Sequence, residues 1–175
     1  MLMGPYQYRC LDESILLPFL KKYVFSVLHR CIPYGVPANY LTLVSIIVIW
    51  SCFLYLIGVN TPDDADIIIV FFAITIYVIF DHFDGLQAKK TGTGSPLGEI
   101  LDHYSDVFNG SIILYFFFRI LQIELDWIFY LVIWANLVAF TVTYLEQSIR
   151  KELYFGKIGS LEGVLLILFI LGSLM

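Results

Sequence analysis

Five long apolar runs restrict what this chain can fold into. They are rich in Ile, Leu, Val and Phe, and they cover residues 40–59, 66–84, 98–119, 126–146 and 160–175. Each run has roughly the 20 residues that a helix needs to cross a bilayer. Lipid offers the backbone no hydrogen-bond partners, so runs of this kind must be helical. We therefore predict an all-α, multi-pass integral membrane protein, a bundle of five to six transmembrane helices.

The composition agrees with a membrane protein and argues against a soluble one. Of the 175 residues, 59% are hydrophobic and 17% are aromatic, and the mean hydropathy is +0.83. Soluble domains are far less apolar, and five or six spans leave no room for a separate soluble domain. The net charge of -5 comes from acids in one motif and one loop. It says little about partners, and we expect no nucleic acid among them.

The N-terminal segment has a different character from the spans. Residues 13–32 mix apolar and basic positions at roughly helical spacing, which predicts an amphipathic helix in the membrane interface. Two prolines end it, and Asn39 or Thr42 is then expected to open the first span. We divide the chain into a cytosolic or interfacial segment, residues 1–36, and a transmembrane domain, residues 37–175.

Signals for secretion and for disulfides are missing from the sequence. The N-terminus lacks the basic region, short apolar core and cleavage site of a signal peptide, so we expect insertion to begin at the first span. The three cysteines, Cys10, Cys31 and Cys52, are scattered and odd in number. We expect inert thiols.

The basic residues predict the orientation of the spans. Nine of the ten Lys and Arg residues lie in the N-terminal segment, in the link that follows the second span or in the link before the fifth, and Arg119 alone lies on the other side. Basic links stay on the cytosolic side of a membrane. The N-terminus and the link after the second span, which we expect to run from Gln87 to Pro96, should therefore face the cytosol.

Four aspartates beside that link carry most of the functional information. Asp81 and Asp84 are three apart near the end of the second span, and Asp102 and Asp106 are four apart at the start of the third. Each pair lies on one helix face, and a link with two glycines and a proline can bring the faces together. A carboxylate in the bilayer costs roughly 2.5 to 3.5 kcal/mol. Four of them predict a site for a hard cation such as Mg²⁺, Mn²⁺ or Ca²⁺.

A site of this kind at the membrane face favours a phosphate substrate. Mg²⁺ keeps open positions for water and phosphate oxygens, and a pair of ions could clamp a pyrophosphate during its displacement. The small residues Gly85, Ala88 and Gly98 either permit close helix packing or leave room for a nucleotide. Lys89 and Lys90 either contact phosphate or only mark the cytosolic side. Two other classes remain open, an ion transporter and a membrane-embedded di-metal phosphatase.

The motif resembles a known family signature. It reads Asp81-x2-Asp84-Gly85-x2-Ala88-Lys89-x8-Gly98-x3-Asp102-x3-Asp106, which is eight fixed positions over 26 residues. This pattern is similar to that of the CDP-alcohol phosphotransferases, also called the CDP-alcohol phosphatidyltransferase class I family. Lys89 is the one departure, because the family usually has Arg there, and a bidentate contact is lost.

The residues between and before the fixed positions of the motif indicate one branch of the family. The stretch Pro96-Leu97-Gly98-Glu99-Ile100-Leu101-Asp102-His103 resembles the choline/ethanolamine phosphotransferase branch, and Pro37-Ala38-Asn39-Tyr40-Leu41-Thr42 resembles the start of the family's first span. Together the similarity covers about residues 5 to 110. The family core has six transmembrane helices and eukaryotic members of this branch have ten. We therefore expect a short or truncated member, a compact relative from a prokaryotic inner membrane.

The resemblance implies an Mg-dependent transferase of phospholipid biosynthesis. Its donor would be a CDP-alcohol, its acceptor a lipid hydroxyl such as diacylglycerol, and its leaving group CMP. Another member type uses CDP-diacylglycerol as donor to a polar alcohol. Two Mg²⁺ or Mn²⁺ ions would bridge the pyrophosphate. The family also tends to form homodimers, and the distribution of basic residues described above places the active site on the cytosolic side.

The resemblance also implies roles for individual residues. Asp81, Asp84 and Asp102 would bind metal, and Asp106 is either a fourth ligand or the general base. His103, oriented by Glu99, is the other candidate for the base. The residues expected to contact the CDP moiety are Asn39, Gly85, Ala88, Lys89 and Gly98. Two roles stay open: Asn39 could be a plain helix cap, and Glu162 either faces the polar cavity or is an acid at a helix start.

Overall fold

The structure is a computed structural model, and it describes residues 10–175. The five apolar runs are helices: α3 (Ala38–Ile57), α4 (Asp64–Thr91), α5 (Pro96–Ile120), α6 (Trp127–Arg150) and α7 (Ser160–Leu174). Among the described residues, α3, α4 and α6 are long and apolar enough to cross a membrane. The first half of α5 is polar, and α7 has 15 residues. The predicted helical membrane protein is confirmed, but the number of spans, five to six, stays a prediction.

The predicted N-terminal helix is present but irregular. It consists of α1 (Leu17–Leu20), a π-helical turn (Lys21–Phe25), α2 (Ser26–Leu28) and a 3₁₀ turn (His29–Cys31). Phe25 is buried against the bundle core, while Lys21 and Lys22 are exposed. The segment is therefore two-sided, as predicted, and its location in the membrane interface stays a prediction. Residues 1–9 of the predicted 1–36 segment lie outside the described residues.

Two short strands accompany the helices of the predicted all-α fold. β1 (Cys10–Asp12) pairs in parallel with β2 (Leu153–Phe155), and Cys10 lies opposite Leu153. Backbone hydrogen bonds from Glu13 to Phe155 and from Ile15 to Lys157 extend the pairing. Segments of three residues are too short to show a periodic pattern. Their pairing depends on the fold bringing residues 10–15 and 153–157 together.

The ends of α4 and α5 follow ordinary capping chemistry. Asp63 and Asp66 form a capping box at the start of α4, and Gly92, with φ of 68°, ends it in the left-handed conformation. Ser95 then caps α5 at the amide of Gly98. The link was predicted to begin at Gln87, which is wrong. Gln87 is a fully buried helical residue, so α4 is about two turns longer than the apolar run.

The start of the first span also differs from the prediction. α3 begins at Ala38, directly after Pro37, and no side chain of the described residues caps it. Asn39 is therefore not a helix cap, and its other predicted role, a nucleotide contact, stays a prediction. Pro37 itself is extended, with φ of -66° and ψ of 145°, and its ring fixes that φ directly before the helix.

The helices pack around one apolar core with α3 and α4 at its centre. Its fully buried side chains include Ile49, Leu56, Ile74, Ile113 and Phe116. On α6, by contrast, Phe129 is the one buried residue, so most of that helix faces outwards.

Links at the two ends of the bundle are joined by hydrogen bonds. At one end, Arg119 donates to the carbonyl oxygens of Val59 and Asn60. At the other end, Lys90 donates to the carbonyl of Ile32 at 2.8 Å, and the β1 and β2 strands pair. The basic links thus lie together, as the orientation argument requires.

Candidate active site

Three of the four motif aspartates meet at one end of the bundle. Asp81 on α4 and Asp102 and Asp106 on α5 each offer a carboxylate oxygen, and these oxygens lie within 4.8 Å of one another. The turn after Gly92 reverses the chain and brings the two helix faces together, as the spacing predicted. Oxygen ligands at this separation suit a hard divalent cation. The residues present therefore fit a Mg²⁺ or Mn²⁺ site.

Asp84 lies beside this group but outside it. Its Oδ2 accepts a hydrogen bond of 2.5 Å from the Thr42 hydroxyl of α3, and its side chain is buried. The buried hydroxyl and the buried carboxylate therefore provide each other with a hydrogen-bond partner across the interface between α3 and α4. The predicted role of Asp84 as a metal ligand stays a prediction.

Tyrosines from two helices contact Asp106. Tyr77 of α4 donates to Asp106 Oδ1 at 3.0 Å, and Tyr144 of α6 donates to Asp106 Oδ2 at 3.3 Å. The Tyr144 ring also stacks on the His103 imidazole, with 4.2 Å between ring centroids and 11° between planes. The two candidate bases, His103 and Asp106, therefore share one neighbour.

Glu99 contacts α6 through a glutamine. Its Oε1 accepts a hydrogen bond from Gln147 Nε2, and about three turns further along the same pair of helices Asn136 donates to Ser111 at 3.1 Å. Polar contacts of this kind fix the register of two helices in a membrane. The predicted orientation of His103 by Glu99 stays a prediction.

A cavity of about 360 Å³ opens next to the aspartates. The residues predicted for the site that line it are Asp81, Asp84, Gly85, Lys89, Asp102, His103 and Asp106. Asn39, Ala88, Gly98 and Glu99 are not among the residues that line this cavity. The opposite wall comes from the N-terminal segment and from residues 153–164, and it includes Lys21, which the sequence analysis did not select.

The small residues of the motif differ in their surroundings. A methyl group on Gly98 would lie 2.9 Å from Asn39 Oδ1, so the absence of a side chain lets the start of α5 approach α3. At Gly85 no atom of the described residues lies within 4 Å of the same position, and the residue faces the cavity. Gly98 thus allows close packing of the helices and Gly85 leaves open space, and the predicted contact of each with a nucleotide stays a prediction.

Both interpretations of Glu162 are correct. It lines the cavity, and in the first turn of α7 it accepts a hydrogen bond from the amide of Gly159 at 2.9 Å. Its other oxygen accepts from the Ser14 hydroxyl and the Leu16 amide. Glu162 thereby holds the N-terminal segment against α7 at the cavity wall.

Several contact residues were not found by the sequence analysis. Tyr77 lies one turn before Asp81 on the same face of α4, and that spacing could have selected it. Thr42 was considered only as a helix start. Tyr144 and Gln147 carry no local signal, because their positions depend on how α6 packs against α5.

Comparison with known families decides the relationship of this chain. The family model described as CDP-alcohol phosphatidyltransferase matches residues 36–175. The chain belongs to this family. The resemblance drawn from the aspartate motif is therefore confirmed, and the three converging aspartates belong to a CDP-alcohol phosphatidyltransferase domain.

Several curated proteins of the family are similar over most of the chain. An uncharacterised CDP-alcohol phosphatidyltransferase class-I family protein from Schizosaccharomyces pombe is 29% identical over 93% of this chain and 44% of its own length. Choline/ethanolaminephosphotransferase 1 from Saccharomyces cerevisiae is 24% identical over 93% and 43%. CDP-diacylglycerol--serine O-phosphatidyltransferase from Encephalitozoon cuniculi is 27% identical over 87% and 41%.

The chain thus spans less than half the length of these relatives. All three come from eukaryotes, so they give no support to the expected prokaryotic origin. Their names also differ in donor and acceptor, and family membership alone does not choose between them.

Proposed function

We propose that this domain transfers a phosphoalcohol group from a CDP-alcohol to a lipid hydroxyl and releases CMP. The observation that carries the proposal is the group of three carboxylates, with oxygens within 4.8 Å, at a cavity near one end of a helical membrane domain. Family membership supports the CDP-alcohol donor. Diacylglycerol is the proposed acceptor, since the resemblance in residues 96–103 is to the choline/ethanolamine branch.

In this proposal the aspartates bind two divalent ions, Mg²⁺ or Mn²⁺. Asp81, Asp102 and Asp106 are within reach of a shared ion, and Asp84 faces the same cavity. When bound, the ions supply charge neutralisation at the pyrophosphate. The remaining groups expected to hold the CDP moiety are Asn39, Gly85, Ala88, Lys89 and Gly98. Of these, Gly85 and Lys89 line the cavity.

The proposed transfer needs one proton acceptor. The acceptor hydroxyl oxygen forms a bond to the phosphorus that carries the alcohol, the bond from that phosphorus to CMP breaks, and the hydroxyl proton passes to the base. His103 is our first candidate and Asp106 the second. Both line the cavity and both contact Tyr144, so either could reach a hydroxyl placed there.

A second substrate arrangement has its own support. The Encephalitozoon cuniculi relative is named for a CDP-diacylglycerol donor and a serine acceptor. In that arrangement the lipid would enter as the donor, and a polar alcohol such as serine, inositol phosphate or glycerol phosphate would attack. The same carboxylates would serve both reactions, because the pyrophosphate that they face is common to both donors.

We further propose that the domain faces the cytosol and forms homodimers. The grouping of the basic links at the aspartate end supports the orientation. The largely exposed α6 is compatible with contact to either lipid or a second copy. The expected prokaryotic inner membrane remains a prediction without support from the relatives.

The experiment is a panel of labelled CDP-alcohols and CDP-diacylglycerol. Purified protein in mixed micelles with Mg²⁺ is given each donor with diacylglycerol or a polar alcohol, and products are identified by mass spectrometry. CMP plus a new phospholipid supports the transferase, and the productive pair names the substrates. A free phosphoalcohol would instead indicate a phosphatase. No conversion, together with ion uptake by the same protein reconstituted in sealed vesicles, would indicate a transporter.

A further inference from the structure

Asp106 has both carboxylate oxygens occupied by phenol donors from different helices. Tyr77 on α4 donates to Oδ1, and Tyr144 on α6 donates to Oδ2, at 3.0 Å and 3.3 Å. Tyr77 is buried and Tyr144 is half-buried. A buried hydroxyl needs a partner, and here two of them use the same carboxylate.

Two donors on one carboxylate fix its rotation. An ionised carboxylate has about four acceptor positions, so two remain for other ligands after the tyrosines have bound. Because the donors come from α4 and α6 while Asp106 is on α5, the carboxylate is held from both sides. The Asp106 oxygen that lies within 4.8 Å of oxygens of Asp81 and Asp102 is thus held in one orientation.

We propose that Tyr77 and Tyr144 are positioning residues that fix Asp106 as a ligand and set the affinity of the site for divalent ions. The inference rests on the proposed function, since it assumes a metal at the three aspartates. Hydrogen-bond partners of metal-bound carboxylates typically change metal affinity 10- to 100-fold when they are removed. Tyr144 has a second role, because its ring stacks on the His103 imidazole and supports it.

The two roles of Tyr144, the hydrogen bond to Asp106 and the stacking on His103, can be separated by substitution. Tyr144→Phe removes the hydroxyl and keeps a ring against His103, whereas Tyr144→Leu removes both. Tyr77→Phe removes one donor to Asp106 and leaves the His103 stack in place. Tyr104→Phe is the matched control, because Tyr104 lies on α5 close to Asp106 but is 68% exposed.

The test is Mn²⁺ binding by the full chain, measured by the EPR signal of free Mn²⁺ without substrate. We expect Tyr77→Phe and Tyr144→Phe each to weaken Kd by about 10- to 100-fold, and Tyr104→Phe to leave it unchanged. The Mn²⁺ concentration for half-maximal activity should rise by the same factor. Tyr144→Leu should lower kcat further, even at saturating Mn²⁺.

Equal Mn²⁺ affinity in both Phe variants and the wild type would overturn the inference while leaving the proposed function intact. Wild-type protein that binds no Mn²⁺ would instead contradict the metal site itself. Thermal unfolding in the absence of metal monitors folding, and since the tyrosines are on different helices, one folded Phe variant suffices for the test. If both Phe variants fail to fold without metal, the hydroxyls are purely structural and the inference is wrong.

Discussion

Thr42 and Asp84 join α3 to the acidic end of α4 through a buried hydrogen bond of 2.5 Å. The contact connects the helix that opens the transmembrane domain with the motif. Thr42→Val removes the donor at similar volume and should destabilise the protein by about 1 to 3 kcal/mol, because a buried carboxylate loses its partner. Thr42→Ser keeps the hydroxyl and is the control. Unfolding in detergent measures the effect, and equal stability of the two variants would contradict this role of Thr42.

Removal of the metal or of its ligands should stop the reaction. A chelator is expected to abolish turnover, and added Mg²⁺ or Mn²⁺ should restore it. Asp81→Asn and Asp102→Asn should lower kcat by orders of magnitude, because these carboxylates neutralise cations rather than fill a core. Asp64→Asn, an exposed acid at the other end of α4, is the control. Full activity in either motif variant would rule out the metal site.

The sidedness of the links can be measured with single cysteines. In a chain that lacks Cys10, Cys31 and Cys52, Thr93→Cys should react with an impermeant label from the cytosolic side alone. Asp64→Cys should react from the opposite side alone. Both positions are in or beside links at the ends of α4, and Thr93 is exposed. The reversed pattern would separate the cavity from cytosolic CDP-alcohols and contradict the orientation.

Substitution of the two candidate bases should identify the proton acceptor. If His103 accepts the proton, His103→Ala should abolish transfer and leave CDP-alcohol binding nearly intact, since the lost interaction belongs to the transition state. Glu99→Gln should slow the reaction less, and the double variant should be little worse than His103→Ala if the two act as one unit. Turnover and donor binding are measured in parallel.

The opposite result would assign the base to Asp106. In that case His103→Ala would keep near-normal turnover, and Asp106→Asn would be inactive while still binding metal. Glu99 also accepts a hydrogen bond from Gln147 of α6, so the Glu99→Gln variant changes a contact between α5 and α6 as well. A loss of activity in Gln147→Leu similar to that in Glu99→Gln would indicate that Glu99 acts through α6 rather than through His103.

The sequence predicts the long helices and the acid pairs because both are local. Hydropathy locates five helices, and spacings of three and four place Asp81 with Asp84 and Asp102 with Asp106 on one face each. The predicted end of α4 was wrong because Gln87 is a polar residue just beyond the apolar run, where a link is expected. In the structure its amide donates to the Pro33 and Val36 carbonyls at 2.9 and 2.7 Å, and it pairs with His29.

Contacts between distant helices could not be predicted in this way. Tyr144 lies 38 residues from Asp106 in the sequence. The local sequence of either segment does not indicate how α6 is positioned along α5. The pairing of β1 with β2 is another case, since both strands are three residues long. These contacts depend on tertiary packing, which a single sequence does not display.

The central claim is tested most directly by the stoichiometry of products from purified protein, CDP-alcohol, diacylglycerol and Mg²⁺. Labelled alcohol and labelled cytidine are followed together, with Asp102→Asn as the matched control. The account predicts one CMP for each phospholipid formed, no free phosphoalcohol, and loss of both products in the control or with chelator. CMP release without phospholipid from any donor and acceptor pair, or phospholipid formation that Asp102→Asn leaves unchanged, would contradict it.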